Sequence, residues 1–454
     1  MDRRVDAHFA PAGSLTGHLL APPDKSISHR AALLGAFGEG VAQIAGYLDS
    51  ADTRSSLAVM EVLGAAIEVI PGDRDGVLDV AIEGFGLGGA RAPSEAIDVG
   101  NAGTLIRLLV GLLAGQEGRS FRLDGDESIR ARPMARVAEP LRDMGAAVET
   151  AAGGRPPLLV TGRPLHAIHH EMQVASAQVK SCLLLAGLLA SGHTTVREPA
   201  ATRDHTERML RAAGADVRVE RERPSLPGDP VAATIGIAPA ERISLPPMRV
   251  PGDLSSAAFH LAAALLVAGA DVTIAGVGLN PTRIGLLGIL NRMGADVEVV
   301  EEGHEGGEPA GSVRARHGHL TAALVGAAEV PAAIDELPLV GLLGCFAEGT
   351  TRVRGAAELR HKESDRIAGT VAAINALGGE AEALEDGFTV TGTGGLRGGE
   401  IDARGDHRLA MLGAVAGLAS RDGVTVRDFG AARISYPGFE RDLRSLLNGR
   451  TAGA

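Results

Sequence analysis

The 454-residue sequence predicts an α/β protein of two domains, each built from three βαβαββ units of about 75 residues. Three observations lead there. The chain is too long for one ordinary core. A helical phrase recurs six times, and a helix-turn-strand phrase falls between its copies.

The helical phrase has a polar opening, a small apolar helix, a Gly and a short Thr/Val strand. It reads DKSISHRAALLGAFGEG from Asp24, NAGTLIRLLVGLLAGQEG from Asn101 and SAQVKSCLLLAGLLASGHTTV from Ser176. It returns as DLSSAAFHLAAALLVAGADVTI from Asp253, DELPLVGLLGCFAEGTTRV from Asp335 and DHRLAMLGAVAGLASRDGVTV from Asp406. The second phrase reads VLGAAIEVI at Val62, DMGAAVET at Asp143, AAGADVRVE at Ala212, RMGADVEVVE at Arg292 and ALGGEAEAL at Ala376. Each copy puts Gly where a left-handed helix cap is favoured, then starts an alternating strand. APPDKSISHRA is echoed by VPGDLSSAAFH, as a duplicated half would leave it.

Six units predict one domain over 23–244 and another over 1–22 plus 245–454. The chain would cross near Pro22–Pro23 and Ser244–Pro247, proline-rich hinges suited to a closing cleft. A strand near His18 to Ala21 is expected to pair with the C-terminal half. Glu301 to Gly311 (EEGHEGGEPAG) reads as a flexible loop, and the chain from Gly449 as a loose tail.

Composition narrows the function. Aromatics make up 2% and Trp is absent, so Leu, Val, Ile and Ala must build the core. The 62 glycines are spread along the chain and imply tight turns rather than disorder. A net charge of −12 argues against nucleic acid and anionic membranes as partners. Any bound anion must therefore meet a local cluster of Lys and Arg. The two cysteines, Cys182 and Cys345, sit in apolar stretches, which suits a reducing compartment. The N-terminus has no apolar signal core, and no run of about 18 apolar residues occurs. A cytoplasmic protein is expected. No His/Cys/carboxylate spacing suggests a metal, and no P-loop or GxGxxG context suggests a nucleotide, so no cofactor is expected.

The polar unit openings should lie at helix N-termini, where unpaired N–H groups and the helix dipole favour anions. If the units are arranged symmetrically, these ends converge on the cleft. The alternative is plain N-capping, the preferred reading for Asp253. APPDKSISHRAALLGAF places Lys25, Ser26 and Arg30 in the first turns of one helix, able to grip phosphate or carboxylate. DVGNAGTLIRLL adds Gly103, where backbone can approach a small ligand closely, and Arg107, as suited to a structural as to a catalytic role. SIRARPMARV supplies Arg132.

With VASAQVKSCLLLAG, ATRDHTERML, IDELPL, RHKESDRI and GDHRLAM, these segments resemble the enolpyruvylshikimate-phosphate synthase family, in family order from about Ala21 to Phe439. The resemblance implies two inverted α/β barrel domains of three repeats each. It implies transfer of the enolpyruvyl group of phosphoenolpyruvate to the 5-hydroxyl of shikimate 3-phosphate, by a monomer without cofactor. Carried over position by position, Lys25, Ser26, Arg30, Ser176, Gln178, Arg203, Asp335 and Lys362 look like contacts to shikimate 3-phosphate. Lys25, Gly103, Arg132, Gln178, Arg366 and Arg408 look like contacts to phosphoenolpyruvate. Asp335, Glu363 and Lys25 look catalytic, with Asp335 the base near the attacking hydroxyl and Lys362–Glu363 at the reacting centre.

SAQVK, RDHTE and NPTR at Asn280 are similar to the second class of the family, which includes glyphosate-tolerant members. The chain departs from it in having Pro23 where Gly is usual before Asp-Lys. It has Gly103 where tolerant members often carry Ala. Its C-terminal ARISYPGF has Ile434 before Ser435, where many first-class enzymes carry Lys, and Arg433 stands nearby.

The residue types suit the chemistry. The hydroxyl must lose a proton as it attacks C2, and C3 must gain and later lose one, so two positioned carboxylates fit. Lys25, Arg132, Lys362, Arg366 and Arg408 can hold the anionic groups. Outside the motif set, HKESDR would read as an ordinary charged helix face, and Asp335-Glu336 as a cap. Two rival functions remain at this level. The sister enolpyruvyl transferase acting on UDP-N-acetylglucosamine usually has Lys-Asn where this chain has Lys25-Ser26, and a loop Cys that DGDESIRARPM lacks. A non-catalytic metabolite-binding protein would gain nothing from buried acids at Asp335 and Glu363.

Overall fold

The computed structural model describes residues 5–223 and 230–449. These divide into two compact units, named here for their place in the chain. The central unit is Pro23–Val250 with Glu305–Glu308; the terminal unit holds both ends of the chain, up to Pro22, Pro251–His304 and from Pro309 onward.

Each unit carries three of the recurring helices. In the central unit these are α1 (Lys25–Ala36), α2 (Gly103–Ala114) and α3 (Ala177–Gly187); in the terminal unit α4 (Leu254–Leu266), α5 (Leu337–Gly344) and α6 (His407–Ala419). Most are buried nearly all round and form the cores, which explains why their sequences are apolar rather than amphipathic. Small residues let the helices approach closely. A Cβ on Gly111 of α2 would overlap the Cys182 carbonyl of α3. Both cysteines are free and buried, and burial pushes each thiol up to about 12.

The sheets repeat one topology. In the second sheet of the central unit, Ile97–Asp98 runs parallel to Ser120–Asp124, which pairs antiparallel with Arg155–Thr161, which pairs antiparallel with Ala147–Ala151. The third sheet has the same order. The first sheet takes its parallel edge from Met248–Arg249, paired with Val41–Leu48. In the terminal unit Thr16–Leu20 runs parallel to Asp271–Gly278, the pairing expected of the strand before the first unit.

Two sequence expectations need correction. Glu301–Gly311 is not a loop but the centre of a hairpin of Asp296–Glu305 and Glu308–Arg316. Gly306 and Gly307, with φ of +56° and +80°, supply the positive-φ turn that such a two-residue connection demands. Its acidic, glycine-rich composition masked the alternation. The sixth repeat also lacks its closing hairpin. Val424–Arg427 pairs parallel with Gly399–Asp402 and antiparallel with the N-terminal strand Ala7–Phe9, giving three strands. A 3-10 turn (Phe429–Ile434) and a helix (Phe439–Leu447) follow. Of the expected loose tail, 450–454 lie outside the described residues.

The chain has two tyrosines, one per unit, both buried. The Tyr47 hydroxyl donates to the Thr53 carbonyl at 2.8 Å. The Tyr436 hydroxyl donates to Asp442 Oδ2 at 2.8 Å and lies 3.1 Å from His260 Nε2.

Candidate active site

The recurring helices begin where the polar openings stand. Asp24, Ser176, Asp253 and Asp406 cap α1, α3, α4 and α6, accepting backbone N–H bonds from Ile27, Val179, Ser255 and Arg408. Helices α2 and α5 start at Ala102 and Glu336 with no side-chain cap. Asp253 caps α4 and also pairs with Arg283 at 3.2 Å.

In the central unit, α1 presents Lys25 and Ser26, both half-buried, and Arg30, buried. Lys25 Nζ lies 3.1 Å from Asp52 Oδ2. Arg30 donates to Thr206 Oγ1 at 2.7 Å, to the Ser26 carbonyl at 2.9 Å and to Ser181 Oγ at 3.0 Å. Burial draws its guanidinium down to about 10, with Glu207 and Asp24 opposing and Arg203 adding to the fall. It remains cationic at neutral pH. Arg203 thus lies within electrostatic reach of Arg30, on the segment before helix His205–Ala212. His205, the first residue of that helix, lies 2.8 Å from Glu308 Oε1.

Behind Arg30, fully buried Lys180 sits 3.1 Å from Glu198 and 2.7 Å from Glu207. Burial opposes its charge, but the two glutamates outweigh this and raise its pKa. Gly103 opens α2 directly against Arg132, and a Cβ there would overlap the Arg132 guanidinium. Gln178 accepts from Arg107 Nη1 at 2.5 Å and donates to Thr104 Oγ1 at 3.1 Å, joining the starts of α2 and α3. Ser176 caps α3 half-buried. The sequence candidates of this unit therefore fall into three small groups, around Arg30, Gly103 and Gln178.

The terminal unit gathers its candidates around one carboxylate. Asp335 Oδ1 lies 3.2 Å from Lys362 Nζ and 3.3 Å from Arg366 Nη1. Oδ2 lies 3.7 Å from Arg283 Nη1 and 3.8 Å from Arg408 Nη2, and Arg408 Nη1 donates to the Asp335 carbonyl at 3.0 Å. Arg366, 1% exposed, also binds Glu363 Oε2 at 2.5 Å and Asp406 Oδ2 at 2.9 Å. Burial alone would weaken its charge; Asp406, Glu363 and Asp335 overcome this and raise its pKa. Burial likewise opposes ionisation of Asp406, yet Arg366 holds its carboxyl below the usual range.

Sequence reasoning did not assign Asp52, Thr104, Lys180, Arg283 or Glu336 to the site. Arg283 carried a usable signal in NPTR, and Glu336 in its place beside Asp335. Among the described residues no group of His, Cys, Asp and Glu is placed to hold a metal, and no helix is long and apolar enough to cross a membrane.

The molecule thus combines a doubled three-repeat α/β architecture with cation-rich helix starts in one unit and a carboxylate–guanidinium cluster in the other. The fold is shared with the enolpyruvyl transferase NikO from Streptomyces tendae, with a TM-score of 0.73 at 20% identity over 97% of this chain and 96% of that one. EPSP synthase from Acinetobacter baumannii aligns with a TM-score of 0.82 at 38% identity, covering 97% of this chain and 98% of that one. The 3-phosphoshikimate 1-carboxyvinyltransferase of Synechococcus sp. (strain JA-3-3Ab) is 46% identical over 98% of this chain and 97% of its own. That of Alkalilimnicola ehrlichii is 45% identical over 96% and 94%.

Residues 9–443 match the EPSP synthase (3-phosphoshikimate 1-carboxyvinyltransferase) family, and the chain belongs to it. The enzyme is a transferase of the shikimate pathway that carries the enolpyruvyl group of phosphoenolpyruvate to shikimate 3-phosphate.

Proposed function

We propose that the two clusters divide this reaction between them. Lys25, Ser26, Arg30, Ser176, Gln178 and Arg203 hold shikimate 3-phosphate, with Asp335 and Lys362 at its reacting end. Lys25, Gly103, Arg132, Gln178, Arg366 and Arg408 hold phosphoenolpyruvate. The observation that carries the reading is Asp335, a carboxylate 7% exposed with Lys362 and Arg366 on one oxygen.

Asp335 takes the proton of the 5-hydroxyl as that oxygen bonds to C2. Glu363 serves C3, giving a proton as the tetrahedral intermediate forms and recovering it when the C2–O bond to phosphate breaks. Lys25 and the guanidiniums hold the anionic groups and the charge that develops on the departing phosphate. The enzyme acts as a cytoplasmic monomer; a sedimentation profile with a single species of one-chain mass is expected.

The test is phosphate release with each substrate omitted in turn. Release is expected only with both present, and UDP-N-acetylglucosamine should not replace shikimate 3-phosphate. Glu363→Gln should bind both substrates and release phosphate slowly. Wild-type turnover in that variant would remove Glu363 from the proton path.

A further inference from the structure

The Asn280–Arg283 segment has no part in the roles assigned so far, yet Asn280 and Arg283 are both buried and hydrogen-bonded. Asn280 is 2% exposed, and its Oδ1 accepts from the Thr282 N–H at 2.9 Å and from Thr282 Oγ1 at 2.7 Å. The Arg283 N–H donates to the Asn280 carbonyl at 2.8 Å. This local turn fixes the backbone from which Arg283 extends, just ahead of helix Gly285–Arg292.

The Arg283 guanidinium is 4% exposed and reaches two helix starts. Nη2 meets Asp253 Oδ1, the cap of α4, at 3.2 Å, and bonds Ser255 Oγ. Nη1 lies 3.5 Å from Glu336 Oε1, at the start of α5, and 3.7 Å from Asp335 Oδ2. Ser255 Oγ in turn bonds Glu336. The two oxygens of Asp335 therefore stand in different surroundings. Lys362 and Arg366 approach Oδ1 at hydrogen-bond range, whereas Arg283 and Arg408 meet Oδ2 at 3.7–3.8 Å. At that distance a guanidinium acts on Oδ2 through its field.

We propose that Arg283 is a positioning residue for the proton acceptor: by tying Asp253, Ser255 and Glu336 together beside Asp335, it holds that carboxylate in place for the substrate hydroxyl. The inference rests on the reading of Asp335 as the base. A planar fork suits the task better than an ammonium, because one rigid group must satisfy acceptors on two helices at once. Lys362, Arg366, Arg408 and Arg283 face Asp335, and Glu336, Asp253, Glu363 and Asp406 pair with these guanidiniums.

The test compares Arg283→Gln, Arg283→Lys, Asp335→Asn and the Asp335→Asn/Arg283→Gln double variant, by kcat, KM and pH profile. Arg283→Gln is expected to lower kcat about 10–100-fold while both KM values stay within about threefold. Loss of its positive field makes the carboxylate more basic, so the acid limb of the profile should move to higher pH. Arg283→Lys should restore the limb but only part of kcat. In the Asp335→Asn background Arg283→Gln should add little.

Wild-type kcat in Arg283→Gln, beside an inactive Asp335→Asn, overturns the inference and leaves the base reading standing. Wild-type kcat in Asp335→Asn overturns the base reading and the inference with it. A loss that is additive with Asp335→Asn, or that comes with an unmoved limb and raised KM values, marks Arg283 as merely structural and also overturns it. Should Arg283→Gln fail to fold, Ser255→Ala probes the same linkage. A severalfold fall in kcat supports the proposal, and an unchanged kcat defeats it.

Discussion

In the central unit the guanidinium of Arg30 donates to neutral oxygens, the hydroxyls of Thr206 and Ser181 and the Ser26 carbonyl, and that of Arg107 donates to the Gln178 amide. In the terminal unit Arg283, Arg366 and Arg408 meet carboxylates of Asp253, Asp335, Glu336, Glu363 and Asp406. The same side chain does different work in the two settings. A guanidinium bound to neutral acceptors keeps its charge for an arriving anion. One bound to buried carboxylates is largely neutralised, but it fixes those acids in place, and removing it would leave them uncompensated. On the division of roles proposed above, Arg30 keeps its charge for an arriving phosphate, while the guanidiniums of the terminal unit fix Asp335 and Glu363 in place, Arg366 and Arg408 meeting phosphoenolpyruvate as well.

The largest effect should come from the terminal cluster. Asp335→Asn is expected to lower kcat by about a thousandfold, since general base catalysis contributes roughly 10²–10⁴, while shikimate 3-phosphate binding measured by calorimetry changes little. A loss that appeared in affinity instead would break the contrast. In the central cluster the pattern should reverse. Arg30→Leu removes charge-assisted bonds worth about 1.5–3 kcal/mol, so KM for shikimate 3-phosphate should rise about 10–100-fold in steady-state assays, with kcat far less altered.

Gly103→Ala sharpens the same point. The new Cβ would displace the end of a flexible Arg132 side chain rather than backbone. KM for phosphoenolpyruvate should rise about tenfold, close to 1.4 kcal/mol, with an unchanged melting temperature.

The last contrast concerns acid stability rather than turnover. Burial pushes the imidazoles of His29 in the central unit and His260 in the terminal unit down, His260 to about 4. A depressed folded value means that this stability is complete above the unfolded value of about 6.5 and is lost as pH falls. For His260 the loss reaches about 3 kcal/mol by pH 4, and His260→Phe should flatten that slope in urea titrations. Asp253 and Asp406, both held low despite burial, add a second loss confined to the terminal unit below about pH 4. Asp406→Asn should abolish part of that lower limb.

What the sequence disclosed follows from range. Helix starts and glycine caps are local, so Asp24, Ser176 and Asp406 announced themselves as openings and proved to be caps. Candidates on one short segment, such as Glu363 and Arg366, were also found together at 2.5 Å. Partners far apart in sequence were not legible. Arg30 and Ser181 are separated by 151 positions, and Arg283 and Glu336 by 53. No periodicity records which buried acid a given guanidinium meets. The hairpin at Gly306–Gly307 was missed for a different reason: acidic residues fill the exposed strand Asp296–Glu305, and composition there resembles a loop.

The single tyrosine in each unit has a use beyond packing. With no tryptophan in the chain, the emission excited above the phenylalanine band comes from Tyr47 and Tyr436. Tyr47→Phe would leave a signal from the terminal unit alone, and Tyr436→Phe one from the central unit alone. Burial also pushes the Tyr47 phenol far above its usual range, so its ionisation in alkali must wait until the central unit opens. The molecule therefore carries its own pair of optical labels, one for each half, and the order in which the halves melt can be read without attaching a dye.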